Sequence, residues 1–298
     1  MLTRRSFLQQ SAGALAAGVM LRKAVAEETP RALVGSQLYG WGQYYQREGR
    51  KLGEHLDEIF LALRDAGYDY AEHGLSGDAE ANVKLGARMK AKGLQPVSFY
   101  TGGAFHEADR AEPEVRRLIA GARGAKEAGF TIINCNPNPI GRHKTDDELA
   151  TQAKWLQVFG EELGKLGMKL GVHNHTPEMA NGAKEFHANF RQTDAKNVGF
   201  CYDVHWVFRG GILPPDALAA YGARIVSWHL RQSREKIWWE DLDRGDVDYE
   251  AIAKYAQEHA LAPFYTVELA LEGGTKITRS AVENHARSRE FVRRTFGA

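Results

Sequence analysis

Several things are scarce in this 298-residue chain, and each scarcity removes a class of function. Only two cysteines occur, Cys135 and Cys201, so the fold does not rest on a disulfide framework. Past residue 26 no apolar run reaches the length of a membrane span, which argues against stable membrane insertion. Positive charge is neither abundant nor clustered: Lys and Arg number 39 against 38 Asp and Glu. Residues 1–26 hold Arg4, Arg5, Arg22 and Lys23 and no acid, so without them the balance is 35 to 38, a formal charge of −3. Nucleic acid wants a clustered basic face, and that class of partner is set aside. No glycine-rich phosphate cradle opens a helix; His143-Lys144 and the arginines Arg231 and Arg234 are the nearest basic candidates. Low-complexity linkers and a second domain are missing too.

The start of the chain reads as an address. MLTRRSFLQQSAGALAAGVMLRKAVAEE has a basic head, an apolar middle and a small-residue ending at Ala24-Val25-Ala26, the anatomy of a secretory signal cut after Ala26. Arg4-Arg5 followed by Ser6-Phe7-Leu8 resembles the twin-arginine type, which exports folded proteins. Residues 1–26 are therefore expected to be a signal peptide, 27–298 one domain, and the destination the bacterial periplasm.

What is present is a regular alternation. Short apolar or β-branched runs fall at 32–38, 68–72, 95–100, 131–134, 169–174, 198–203, 224–230 and 264–269. Helical patterns such as LDEIFLALRDAG and DDELATQAKWLQVFGEELGKLG separate them, with only a short FHANF after the fifth run. Gly67, Gly93, Gly129 and Gly167 stand where a helix must stop in a left-handed residue before the next strand. Strand and helix eight times over predict an α/β fold, a closed (β/α)8 TIM barrel.

Such barrels place their chemistry at the carboxyl ends of the strands. Strand five ends in His173 and His175, strand six in Asp203 and His205, strand seven in His229 and strand eight in Glu268. Any one of these is explained by a hydrogen-bonded polar side chain; four at successive strand ends are not. Two imidazoles and two carboxylates suit one divalent ion of the Mn, Fe, Co, Ni or Zn type. Period-two alternation sends His173 and His175 to the same side, and the deeper His173 is the preferred ligand, with His175 left to touch substrate or support the site.

VGSQLYG, GYDYAEHG, INCNPNP, HNHTPE, CYDVHW, WHLR and TVELA follow one another in an order that resembles the xylose isomerase-like barrels, specifically the sugar phosphate isomerase/epimerase family. The resemblance implies one divalent ion held by His173, Asp203, His229 and Glu268, and proton abstraction next to a carbonyl through a metal-stabilised enediolate. Two departures stand out. The family's sugar epimerases carry a glutamate on strand five as ligand and base, where this chain has His173, as in an HNH-type subgroup. The usual histidine three residues after the strand-six aspartate is Trp206 here, with His205 one position earlier. Two-carboxylate epimerisation is thereby put in doubt. A lyase or hydratase acting on a keto-sugar, 3-keto-glycoside or inosose stands beside isomerisation, and a non-enzymatic sugar-binding barrel stands third.

Glu268, Glu178 and His175 are the candidates to carry protons, with Glu178 placed on a loop stiffened by Pro177. Glu72, Asn134, Asn136, His205, Trp206, Arg231, Trp238 and Trp239 are candidates to bind a small sugar or keto-sugar. Tyr39, Trp41, Phe105 and Trp228 add to an aromatic mouth suited to the C–H faces of sugars. Trp238-Trp239 lies in the polar stretch REKIWWEDLDRGD, where a substrate-covering lid is expected. A homo-oligomer is compatible with all of this.

Overall fold

Runs rich in Val, Ile, Phe and Tyr favour extended chain, and eight of them form a closed parallel barrel. The computed structural model describes residues 31–298, so the signal expected over 1–26 lies outside the described residues. The barrel strands are β1 (Leu33–Gln37), β2 (Tyr70–Gly74), β3 (Ser98–Gly103), β4 (Ile132–Pro137), β5 (Lys169–Val172), β6 (Val198–Asp203) and β7 (Ile225–Leu230). A small hairpin, β8 (Ser233–Arg234) and β9 (Ile237–Trp238), precedes the last of them, β10 (Phe264–Val267). β10 pairs with both β7 and β1, which leaves the sheet no free edge. Gly67, Gly93, Gly129 and Gly167 all take the left-handed conformation expected of them at helix ends.

Packing divides the interior by depth. One apolar cluster joins helix residues such as Phe60, Leu118, Phe159 and Phe186 to strand residues such as Ile133, Phe200 and Leu230. A second, of Tyr70, Val97 and Ile132 with Leu33, Val226 and Phe264 against it, plugs the amino-terminal end of the barrel. Gly35 makes room for that plug, since a Cβ there would lie 2.1 Å from the Tyr70 ring. Above it the barrel turns polar, with buried Glu72, Ser98, Asn134, Ser227 and His229. Cys135 and Cys201 are both buried and unpaired. No described helix is long and apolar enough to cross a membrane.

Three differences from the expected elements bear on the site. β2 and β4 run on to Gly74 and Pro137, so Glu72 and Asn134 sit inside the barrel rather than at its rim. Leu38–Arg47 and Val204–Arg209 are helices beyond the eight expected, the first burying Leu38, Trp41, Tyr44 and Tyr45 along one face. FHANF is only the later part of Thr176–Arg191, a helical segment broken at Asn181, Gly182 and Ala183, whose φ values are 52°, 66° and 58°. Pro177 does not mark a loop there: proline is at home in the first turn of a helix, where its missing N–H has no partner to lose.

Candidate active site

Strand register brings the four expected donors to one level. Asp203 on β6 is paired with His229 on β7, and His229 with Thr266 on β10, two residues short of Glu268. His173 continues β5, its backbone N–H donating to the Cys135 carbonyl at 2.8 Å. One ligand atom from each of His173, Asp203, His229 and Glu268 lies within 4.8 Å of all the others, and all four residues are buried. His173 Nε2 stands 3.3 Å from Asp203 Oδ2. The His229 ring is held on both sides, with Nδ1 2.8 Å from Glu268 Oε2 and Nε2 2.9 Å from Glu72 Oε1. Glu72 is fixed in turn by the Ser98 hydroxyl at 2.7 Å and the Asn134 amide at 2.6 Å. Ser227 donates to the Asn134 carbonyl oxygen at 2.7 Å and fixes the orientation of that amide.

Arg231 completes the cluster from below the aromatic wall. Its Nη2 lies 2.9 Å from Glu268 Oε1 and 3.4 Å from Asp203 Oδ2, and only 1% of the residue is exposed. Burial pushes the Glu268 carboxyl up, but Arg231 and His229 outweigh it and hold the group well below the usual carboxylate range. Asp203 is lowered in the same way, with Arg231 and His173 prevailing over burial. For Glu72 burial again opposes ionisation, and His229, Ser98 and Asn134 overcome it. Burial works against a charge on His229, yet Cys201 and the carboxylates of Glu72 and Glu268 raise it well above its ordinary value.

Counting formal charges, three carboxylates (Glu72, Asp203, Glu268) face one guanidinium (Arg231), which leaves two negative charges on the buried cluster. Buried net charge is expensive, so two positive charges must be supplied, by a divalent cation or by protons on the two imidazoles. The mixed nitrogen and oxygen donors and their convergence fit a divalent ion. His173, Asp203, His229 and Glu268 are the residues that could hold one.

A cleft of about 390 Å³ opens over this cluster, and His173, Glu268 and Arg231 form part of its floor. Its walls include Tyr39, Tyr100, His175, Trp206 and Trp238. His175 meets His173 edge-on at 4.7 Å and Trp206 at 5.6 Å. Burial, then the neighbouring His173, lowers His175 to about 3, so its imidazole is neutral. Trp206 and Trp238 meet at 81° with centroids 5.0 Å apart, and the Arg231 guanidinium lies 4.2 Å from the Trp238 ring centre.

Other expected contacts are placed elsewhere. Glu178 does not line the cleft: it is buried in the first turn of its helix, accepting from the His175 N–H at 2.6 Å and from Asn136 Nδ2 at 3.4 Å. Burial, only partly offset by that N–H, raises it to about 7. Asn136 is thus turned toward Glu178, while Asn134 and Glu72 support His229 from beneath. His205 is buried beside Trp238 and Phe208 and is lowered to about 4 by burial, then by Arg231. Trp239 stacks under Arg234 at 4.1 Å, outside the cleft. Of the remaining aromatics, Trp41 donates to Ser36 and stacks on His285, Phe105 packs on Phe159, and Trp228 donates to the Ala262 carbonyl. The basic candidates for a phosphate are already engaged, Lys144 by Glu185 at 2.5 Å and Arg234 by Asp243 at 3.3 Å. Tyr100 and Gln37 line the cleft without having been expected, because neither ends its strand in a charged or ligating side chain.

Comparison with known proteins agrees with this fold. A family profile described as xylose isomerase-like TIM barrel matches residues 60–295. A sugar phosphate isomerase/epimerase from Parabacteroides distasonis has a similar structure, with a TM-score of 0.71, 20% identity, and 91% of this chain and 96% of that one covered. An L-ribulose 3-epimerase gives 0.71 at 18% identity over 90% and 95% of the two chains. A 3-keto-D-glucoside 4-epimerase from E. coli gives 0.67 at 14% identity over 89% and 100%. No curated protein matches the chain.

Proposed function

The chain belongs to the xylose isomerase-like TIM-barrel family, and from that premise and the donors under its cleft we propose that it is a sugar isomerase or epimerase dependent on one divalent ion. The observation that carries the reading is Glu268: it belongs to the four-donor cluster and also faces the cleft. A divalent ion bound there supplies polarisation of a carbonyl and of the hydroxyl beside it. Mn, Co, Zn, Ni and Fe all suit the donors. Glu268, kept ionised by the Arg231 guanidinium 2.9 Å away, is placed to take the proton from the carbon next to that carbonyl. Neutral His175 stands over His173 and is placed to hold or pass a proton on a substrate oxygen. Trp206 and Trp238 offer ring faces and edges to the sugar's C–H groups. Export through residues 1–26 puts the reaction in the periplasm, where the substrate is an unphosphorylated sugar or keto-sugar.

One observation favours a second reading, a lyase or hydratase of a keto-sugar or 3-keto-glycoside. Epimerisation by two carboxylate bases needs one on each face of the sugar, and among the described residues lining this cleft Glu268 is the one carboxylate. A single base on one face can return a proton to a neighbouring carbon or assist loss of a β-substituent. Both readings share the first step, and NMR in D2O tests it. The metal-loaded protein should place deuterium next to the carbonyl of D-allulose, D-fructose or a 3-keto-glucoside, and chelation should abolish the exchange. An intact deuterated skeleton supports isomerisation, and an unsaturated or cleaved product supports the lyase. Exchange that survives full removal of the metal would sink both.

A further inference from the structure

Among the described residues, three side chains lining the cleft keep a hydrogen-bond donor with no protein acceptor, the Tyr100 hydroxyl, Arg231 Nη1 and Trp238 Nε1, beside the likewise unpaired Nδ1 of His173. All three atoms are shielded from solvent. An unpaired buried polar group costs about 1–3 kcal/mol, so folded chains keep few of them, and three around one cleft mark where a ligand's oxygens belong.

Tyr100 is the informative one. In the eight-stranded barrel β3 stands opposite β7. Alternation along β3 turns Ser98 and Tyr100 inward together. Ser98 reaches Glu72, and Tyr100, one step nearer the mouth, lies over the donor cluster. Its ring meets His173 edge-on at 5.4 Å and lies 6.1 Å from His229. A phenylalanine would supply both ring contacts, so packing accounts for the ring and leaves the hydroxyl unexplained.

We propose that Tyr100 is a substrate-binding residue whose hydroxyl donates to an oxygen of the bound sugar from the β3 side, while Arg231 Nη1 and Trp238 Nε1 donate from the β7 side. The proposal rests on the sugar reading above. It also narrows the substrate class. Arginine and tryptophan can only donate, so the oxygens they meet must accept, as carbonyl, ring and glycosidic oxygens do. The Arg231 charge is already matched by Asp203 and Glu268, so it has no attraction to spare for a carboxylate or phosphate. A neutral sugar rich in acceptor oxygens fits this wall, and an anionic one does not.

The test compares the metal-loaded full chain with its Tyr100→Phe variant by thermal unfolding and by titration with D-allulose, D-fructose and D-fructose 6-phosphate, followed through tryptophan fluorescence. Without sugar, Tyr100→Phe should unfold at the wild-type temperature or higher, since it deletes an unpaired group and keeps the ring. Neutral-sugar affinity should fall about tenfold, the equivalent of one net hydrogen bond of about 1.4 kcal/mol. The phosphate ester should bind wild type no more tightly than the free sugar. A sugar-free variant several degrees less stable, or one that binds neutral sugars as wild type does, overturns the role of Tyr100 alone. Tighter binding of the phosphate ester overturns the substrate class. A wild-type protein that responds to none of the sugars overturns the sugar reading itself, and this proposal with it.

Discussion

Two segments wall the cleft, and they are held in opposite ways. Residues 231–247 after β7 form little regular structure, yet away from the cleft most of their buried polar groups are bonded, to one another or to the rest of the chain. Gln232 accepts from the Ser233 and Val247 N–H groups and donates to the Val247 and Asp243 carbonyls. Glu240 accepts from the Thr278 and Arg279 N–H groups and the Asn284 amide, and Asp241 pairs with Arg279 and Arg287. Trp238 itself is gripped by Arg209 over its ring and by a backbone bond to Glu272. Residues 175–183 after β5 are shorter and begin as a helix, but break within two turns into three left-handed residues, two of them exposed. Length and polarity suggest a lid at Trp238-Trp239; the bonding makes that stretch a fixed wall and leaves the shorter side as the softer one.

The largest break in this contrast comes from untying the wall. Glu240 is 1% exposed, and its removal takes the acceptor from two backbone N–H groups and one of two acceptors from the Asn284 amide, which keeps the Tyr44 hydroxyl. Glu240→Ala should cost about 3 kcal/mol, because lost partners inside a folded chain carry their full desolvation penalty. Urea unfolding measures this, and sugar KM should rise as Trp238 loosens. A variant within about 0.5 kcal/mol of wild type would mean that the wall is not held by Glu240.

Much of this was legible from residue types alone, for identifiable reasons. Barrel topology follows from alternation, which is local, and the strand-end donors follow from topology, because a parallel barrel sets all eight carboxyl ends in one plane. His173, Asp203, His229 and Glu268 were readable in this way before any distance was known. Residues whose placement depends on exact strand length were not. β2 starts and ends two residues later than expected, which moves Glu72 from a rim contact to a support beneath His229. Glu178 and Trp239 depended on side-chain direction within irregular chain, which composition does not encode. Tyr100 was invisible because the signal that singles it out is an unpaired atom, a property of the surroundings rather than of the sequence.

On the soft side the contrast can be sharpened by pH. Glu178 is raised from 4.5 to about 7 by burial, with Glu185 adding repulsion and the His175 N–H and Lys144 opposing. A raised carboxyl binds its proton more tightly folded than unfolded. Its contribution to stability is therefore complete below about pH 4.5 and lost as pH rises through about 7. Glu178→Gln keeps a neutral amide in place of the acid. Between pH 5 and 8 it should gain stability over wild type, on the order of 2 kcal/mol at the upper end. Parallel pH profiles for the two proteins would show instead that Glu178 ionises freely and that the start of this helix is open to water.

The smallest effect isolates the backbone. Gly182 is exposed at φ 66°, and a Cβ built on it meets nothing within 4 Å, so Gly182→Ala creates no clash. What remains is the left-handed conformation, which costs a residue with a Cβ about 1 kcal/mol. The loss should appear in urea unfolding without any change in metal content. Because the helix start that carries His175 and Glu178 lies within this segment, the variant should also alter sugar KM more than kcat. Alanine at Gly53 is the matched control: it is open on all sides and has no positive φ, so it should leave stability nearly unchanged. Equal effects at the two positions would mean that the chain after β5 is free to leave the left-handed region, and the two sides of the cleft would then differ in mobility even more than their bonding indicates.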